Sequence, residues 1–317
     1  MDFKEIYQHP SRFLSLTTLY PSEFDELLPL FREQWYKFYR MHRLDGTRRK
    51  SCFDHFEKNT KTLPTVEDKL FFLLTYLKNN PTQEYQGAVF NCCQGKVSRW
   101  FHILLPLLKK VLKRMKYLAC RDGASLKKAL ETFNIKCVTQ DGVEQDQMRR
   151  TANDAQKVEY SGKKKDHTAK NLVVGADNQR IFLLSPTFWG SIHDKKMADE
   201  TDISLPDETN VRQDLGFQGY EVEGATTVQP FKKPKGKELT KKQKWYNTVV
   251  SRARTVIENA IAGIKRCRIV KERCRISFEF RDLVMEVCTA LHNLRVESPC
   301  RAYTSTPVFA RTQAYAL

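Results

Sequence analysis

IKCVTQDGVE, residues 135–144, is where the chain changes texture. A short run with β-branched Ile135 and Val138 leads to Asp141, and Gly142 follows. That pattern presents a carboxylate at the end of a buried strand. Similar β-type runs follow at HTAKNLVVGAD (167–177), RIFLLSP (180–186), NVRQDLGF (210–217) and ATTVQPF (225–231). Upstream the chain is helical. Leu27, Leu28, Leu30, Phe31, Trp35 and Phe38 lie near helical spacing, and helical segments are predicted at about 65–79, 82–90 and 94–118. The basic stretch RMHRLDGTRRKS (40–51) between them is predicted to be a linker. Downstream, a lysine-rich loop (232–244) leads into a long helix, about 245–266, then a second, about 279–295. Helices followed by a mixed α/β half predict separate domains. The expected parse is an N-terminal helical segment and linker (1–60), a helical unit (61–125), a catalytic α/β domain (126–296) and a polar tail (297–317).

Charge narrows the function. Lys and Arg total 54 against 37 Asp and Glu in 317 residues, a net +17. Such an excess favours a polyanionic partner, because each phosphate neutralised releases condensed counterions. The nine cysteines form no CxxC pair with zinc-ligand spacing. No stretch approaches the roughly 18 apolar residues of a membrane span. The N-terminus lacks the uninterrupted apolar core of a secretory signal. A cytoplasmic protein without membrane contact is expected.

TQEYQGAVFNCCQGKVSRWF (82–101) has the spacing of a helix-turn-helix. Gly87 falls where two helices cross closely, and Asn91 falls at the turn, where a left-handed backbone is tolerated. Val97 supplies the apolar contact behind the second helix. The polar positions left on that helix are Gln94, Lys96, Ser98 and Arg99. Gln and Arg suit base edges, and Lys and Ser suit phosphates. A trihelical packing module that never touches DNA would share the pattern.

Among 37 acidic residues, position matters more than number. Asp214 ends a second short strand, and two strand-end carboxylates on neighbouring strands could converge on shared cations. Glu258 lies on the long helix, where Asn247, Arg254, Glu258 and Lys265 fall within roughly 20–40° of one another. Ile257, Ile261 and Ile264 form an apolar stripe beside them. Arg254 and Lys265 are therefore candidate phosphate contacts; a surface Arg254–Glu258 ion pair is the bland alternative. Three carboxylates suit Mg²⁺, and two such ions about 4 Å apart would serve in-line displacement at phosphorus. Lys163, Lys164, Lys165 and Lys170 are further candidate DNA contacts. His193 and Asp194 are candidate ligand or base, although helix capping explains them as well.

These motifs together resemble the DDE transposases of bacterial insertion sequences, in the insertion-sequence-five-like group related to Harbinger-type elements. The carriers are VEDKLFFLLTYLKNNPTQEYQGAVFNCCQGKVSRW, QDGVE, YSGKKKDHTAK, WGSIHD, QDLGFQGY and NTVVSRARTVIENAIAGIKR. The resemblance implies an RNase H-like mixed sheet flanked by helices, with Asp141, Asp214 and Glu258 as catalytic and metal-binding acids. It implies Mg²⁺, with Mn²⁺ as substitute, cleavage at terminal inverted repeats and joining of 3′ ends to target DNA. Holding two ends together predicts a homodimer or larger on DNA. The alternatives are a domesticated copy that only binds DNA, and a host nuclease that cuts without joining.

Overall fold

The computed structural model describes residues 1–52, 62–151 and 153–302. The last part of the expected linker segment and most of the expected tail lie outside them. The first half is helical: α1 (Phe3–Tyr7), α2 (Pro10–Thr17), α3 (Pro21–Met41), α4 (Val66–Asn79), α5 (Gln83–Val89), α6 (Gln94–Arg114) and α7 (Gly123–Thr132). Local chemistry sets these limits. Thr65 and Asp68 form a reciprocal capping box at the start of α4. Asn80, with φ +46°, ends it in the left-handed region.

The second half is built on one sheet. Its elements are β1 (Cys137–Asp146), α8 (Asn153–Glu159), β2 (Tyr160–Ser161), β3 (Asp166–Ala176), β4 (Ile181–Leu184), β5 (Phe188–Trp189), α9 (Asp194–Thr201), β6 (Asn210–Arg212) and β7 (Thr226–Val228). Helices α10 (Lys241–Ile264), α11 (Arg268–Lys271), α12 (Phe278–Glu297) and α13 (Pro299–Ala302) complete the chain. Strands β4, β3 and β1 run antiparallel as a meander, and β6 then β7 add parallel to β1. The short β2 and β5 also pair with β3. This mixed sheet with helices on both faces is an RNase H-like α/β domain, as expected.

Alternation along the strands feeds two apolar clusters. Val143, Val173, Ile181 and Leu184 face a large cluster that includes α10, α12, α6 and the N-terminal helices. Val138, Leu172, Val174 and Phe182 face a smaller one with Leu126 and Leu130 of α7 and Met197 of α9. The boundary expected at 125/126 therefore falls inside α7, which packs under the sheet rather than with the helices before it. Helix α10 also begins earlier than expected. Thr240 caps it through a reciprocal bond with Gln243, so the last lysines of the predicted loop are helical.

Candidate active site

Strands β1 and β6 are parallel neighbours in which Thr139 pairs with Arg212. Asp141 and Asp214 each stand two residues further on, so the register sets them side by side. Neither ends its strand, contrary to the sequence expectation. Asp141 is mid-strand, because β1 continues opposite β3 to Asp146 and pairs Asp141 with Val173. Asp214 lies past the end of β6 and caps a single 3₁₀ turn, Leu215–Phe217. Each carboxylate accepts a hydrogen bond from the following amide: Gly142 N to Asp141 Oδ1 and Leu215 N to Asp214 Oδ1, both at 2.8 Å. Burial pushes the Asp141 carboxyl above its ordinary range. The Gly142 amide and Arg254 pull it back down, and Asp214 pushes it up again.

Helix α10 packs across β1, β3 and β6. Its anchor is Ile257, buried against Gly175 of β3, where an added Cβ would stand 2.7 Å from Ile257 Cδ1. One helical turn before Glu258, the Arg254 guanidinium reaches both aspartates: Nη1 lies 3.1 Å from Asp214 Oδ1 and Nη2 3.6 Å from Asp141 Oδ2. Its side chain is only 12% exposed, so Arg254 is not a free phosphate contact as the sequence suggested. Nor does it pair with Glu258, which is exposed and has no hydrogen-bond or ion-pair partner among the described residues. The aspartate pair already holds one cationic group in common, which is the donor chemistry a hard divalent ion requires. The third carboxylate stands apart: among the described residues no three acidic, His or Cys side chains are grouped tightly enough to hold a metal ion.

The neighbouring candidates divide. Asp194, first residue of α9, sits between the two aspartate segments: its carboxylate would meet a Cβ on Gly142 at 3.7 Å and one on Gly216 at 2.7 Å. Lys170 is a correction. It was expected on DNA but is 5% exposed, with Nζ held by Ile192 O at 3.1 Å, Glu144 at 3.2 Å and Asp194 at 3.6 Å. Glu144, which the sequence did not single out, joins this cluster and accepts from Ser161. Its only signal was its place in the QDGVE motif. His193 occupies the N-cap of α9 without a side-chain cap and is exposed. Asn247 is a clamp: its Oδ1 accepts from Phe231 N and its Nδ2 donates to Phe231 O, holding the lysine-rich loop on α10. Lys163, Lys164 and Lys165 are exposed on the β2–β3 turn. Burial, and then nearby Lys164, push the Lys265 ammonium below its ordinary range. The acids near Lys265 are Asp146 and Glu144, which push it back up.

The helix-turn-helix is formed by α5 and α6. A Cβ on Gly87 would stand 2.3 Å from Cys92 O, so only glycine permits that crossing. Asn91 is left-handed, with φ +54°, and Val97 is fully buried. Gln94, Lys96 and Arg99 are exposed on the first turns of α6, with Ser98 half-buried.

Comparison with known proteins agrees. Residues 140–293 match the family described as DDE superfamily endonuclease, and residues 61–114 match the helix-turn-helix of DDE superfamily endonuclease. The chain is 26% identical over 211 residues to the probable transposase for insertion sequence element IS702 of Microchaete diplosiphon, covering 66% of this chain and 73% of that protein. No solved structure matches. The two family matches stand in the order in which the structure places the helix-turn-helix and the acidic sheet, and over residues 61–114 and 140–293 the chain is similar to DDE superfamily endonucleases.

Proposed function

We propose that this chain is a DNA transposase whose Asp141, Asp214 and Glu258 bind divalent metal, cut the ends of an element at its inverted repeats and join the freed 3′ ends to target DNA. The observation that carries this reading is the pair of aspartates at equivalent register positions, sharing one cationic group, with Glu258 one turn along the same helix. Two Mg²⁺ ions, replaceable by Mn²⁺, would supply activation of the attacking oxygen and stabilisation of the leaving one. Asp141 and Asp214 are the natural first ligands, and Glu258 closes the set once it turns toward them.

The protein's own groups do the rest. Gln94, Lys96, Ser98 and Arg99 read and grip the repeat. Lys163, Lys164, Lys165 and Lys265 hold the phosphates that flank the cut. Lys170 and Asp194 do not touch DNA in this scheme; they fix the segments that carry the aspartates. Two ends held together require a dimer or larger on DNA. A cytoplasmic location accords with the observation that no helix among the described residues is long and apolar enough to cross a membrane. The test is nicking of inverted-repeat DNA with Mg²⁺ by the wild type and by Asp141→Ala. Loss of nicking in the variant is expected; equal activity would overturn the assignment.

A further inference from the structure

Helix α10 carries two faces that do different work. Its buried residues begin only at Val250. Among the nine helical residues before it stands Trp245, 66% exposed. The other tryptophans are covered: Trp35 and Trp100 lie in the core, and Trp189 stacks on Phe278 at 3.8 Å. No ring among the described residues pairs with Trp245.

Helical geometry places Trp245 roughly 180° around α10 from Arg254. Val249 and Arg252 share its side, within roughly 40°, and Lys241 stands one turn before it. All four residues are exposed. The Asn247 clamp meanwhile binds the lysine-rich loop to the opposite, acid-facing side. An exposed tryptophan amid cations matches a ligand that combines negative charge with flat apolar faces, which is the chemistry of unpaired nucleotides. A second copy of this chain fits worse, because a symmetric contact across this stripe would bring identical cations together. From 231 to 249 the chain holds seven lysines and one acid, Glu238.

We propose that the outer face of α10, through Lys241, Trp245, Val249 and Arg252, binds a DNA segment distinct from the one at the aspartates, with Trp245 stacking on an unpaired base. This rests on the transposase reading in one respect: joining chemistry brings two DNA segments to one protein, and α10 offers a separate side to each.

The test uses the full chain. Binding of an oligo-dT strand and of an inverted-repeat duplex would be measured by anisotropy for the wild type, Trp245→Ala and Trp245→Phe. Tryptophan fluorescence would report contact directly, because Trp245 is the most exposed of the four indoles. Oligo-dT should quench wild-type fluorescence, and Trp245→Ala should weaken oligo-dT binding about ten-fold. Trp245→Phe should keep most of the affinity while losing the quench, and duplex binding should stay within about two-fold in both. Unchanged oligo-dT affinity in Trp245→Ala, or equal losses on strand and duplex, would overturn the proposal. So would a change of oligomeric state in DNA-free Trp245→Ala, which would assign the face to a second copy. Nicking of a duplex end is a separate measurement. Its absence in the wild type would overturn the catalytic reading and leave strand binding to be judged by itself.

Discussion

On the transposase reading Arg254 occupies the place of a divalent ion, so replacing it should tighten metal binding. Its guanidinium nitrogens lie 3.1 and 3.6 Å from carboxylate oxygens of Asp214 and Asp141. A divalent ion held by the same carboxylates would be repelled by that charge. At an effective dielectric of about 20, two unit charges about 4 Å apart interact by about 4 kcal/mol. The Asp214 side chain is 38% exposed, and solvent and salt reduce the repulsion. About 1.5–3 kcal/mol then remains, a ten- to hundred-fold change in affinity. Arg254→Gln should therefore bind Mn²⁺ ten- to hundred-fold more tightly than the wild type, measured by calorimetry and by the electron spin resonance of free Mn²⁺. Arg254→Lys should fall between them, because a single ammonium cannot bridge both carboxylates as the guanidinium fork does. If Arg254→Gln bound Mn²⁺ no better than the wild type, Arg254 would not be occupying the ion's place.

Three further outcomes follow from the geometry. Asp141→Asn should raise the melting temperature by about 2 °C at neutral pH. The Asp141 carboxyl is held above its ordinary 3.8, so folding opposes its ionisation; the penalty is fully present above the folded value, and the variant's gain should vanish on titration below about pH 4. Glu258→Gln should leave the melting temperature within about 1 °C, since an exposed carboxylate without partners contributes little to stability, yet abolish metal-dependent nicking; retained nicking would remove Glu258 from the site. Gly263→Ala should destabilise the protein by about 1–3 kcal/mol in urea melts, because its Cβ would stand 2.3 Å from Nδ1 of buried His292, where α10 crosses α12.

The sequence carried those features whose cause is local. Gly87, Asn91 and Val97 mark the helix-turn-helix because a close crossing, a left-handed turn and a buried contact each demand a residue type. The two aspartates showed through the β-rich runs before them. What failed depended on distant partners. β1 continues through Gln-Asp-Gly-Val-Glu-Gln-Asp, a polar stretch that looks like a turn. It stays a strand because β3 pairs along its length, Gln145 donates to Ile269 O at 2.7 Å and Glu144 meets Lys170. Lys170 looked solvated because nothing near it in sequence announces that Glu144 and Asp194 will enclose its charge. Arg254 was correctly placed on the polar seam of α10 but read as a phosphate contact, with its i+4 neighbour Glu258 as the alternative partner. Neither reading holds, because the sheet presents both aspartates to a single guanidinium.

The sharing of one core has a functional consequence that separate domains would not have. The first turns of α6 carry the exposed Gln94, Lys96 and Arg99, while its later turns are buried with α3 and α12. Helix α12 in turn is tied to the sheet, where Asn293 accepts from Ile181 N and donates to Ile181 O, both at 2.8 Å. It also packs against α10, the helix of Arg254 and Glu258. Every step from α6 to α10 is buried packing or a buried hydrogen bond, and the Arg254 ion pairs make the last link to the aspartates. Protein interiors of that kind transmit displacement rather than absorb it. On the transposase reading, the distance from the recognised repeat to the phosphate cut is therefore set by the fold itself, and changing it requires altering the α6–α12–α10 stack rather than lengthening a linker.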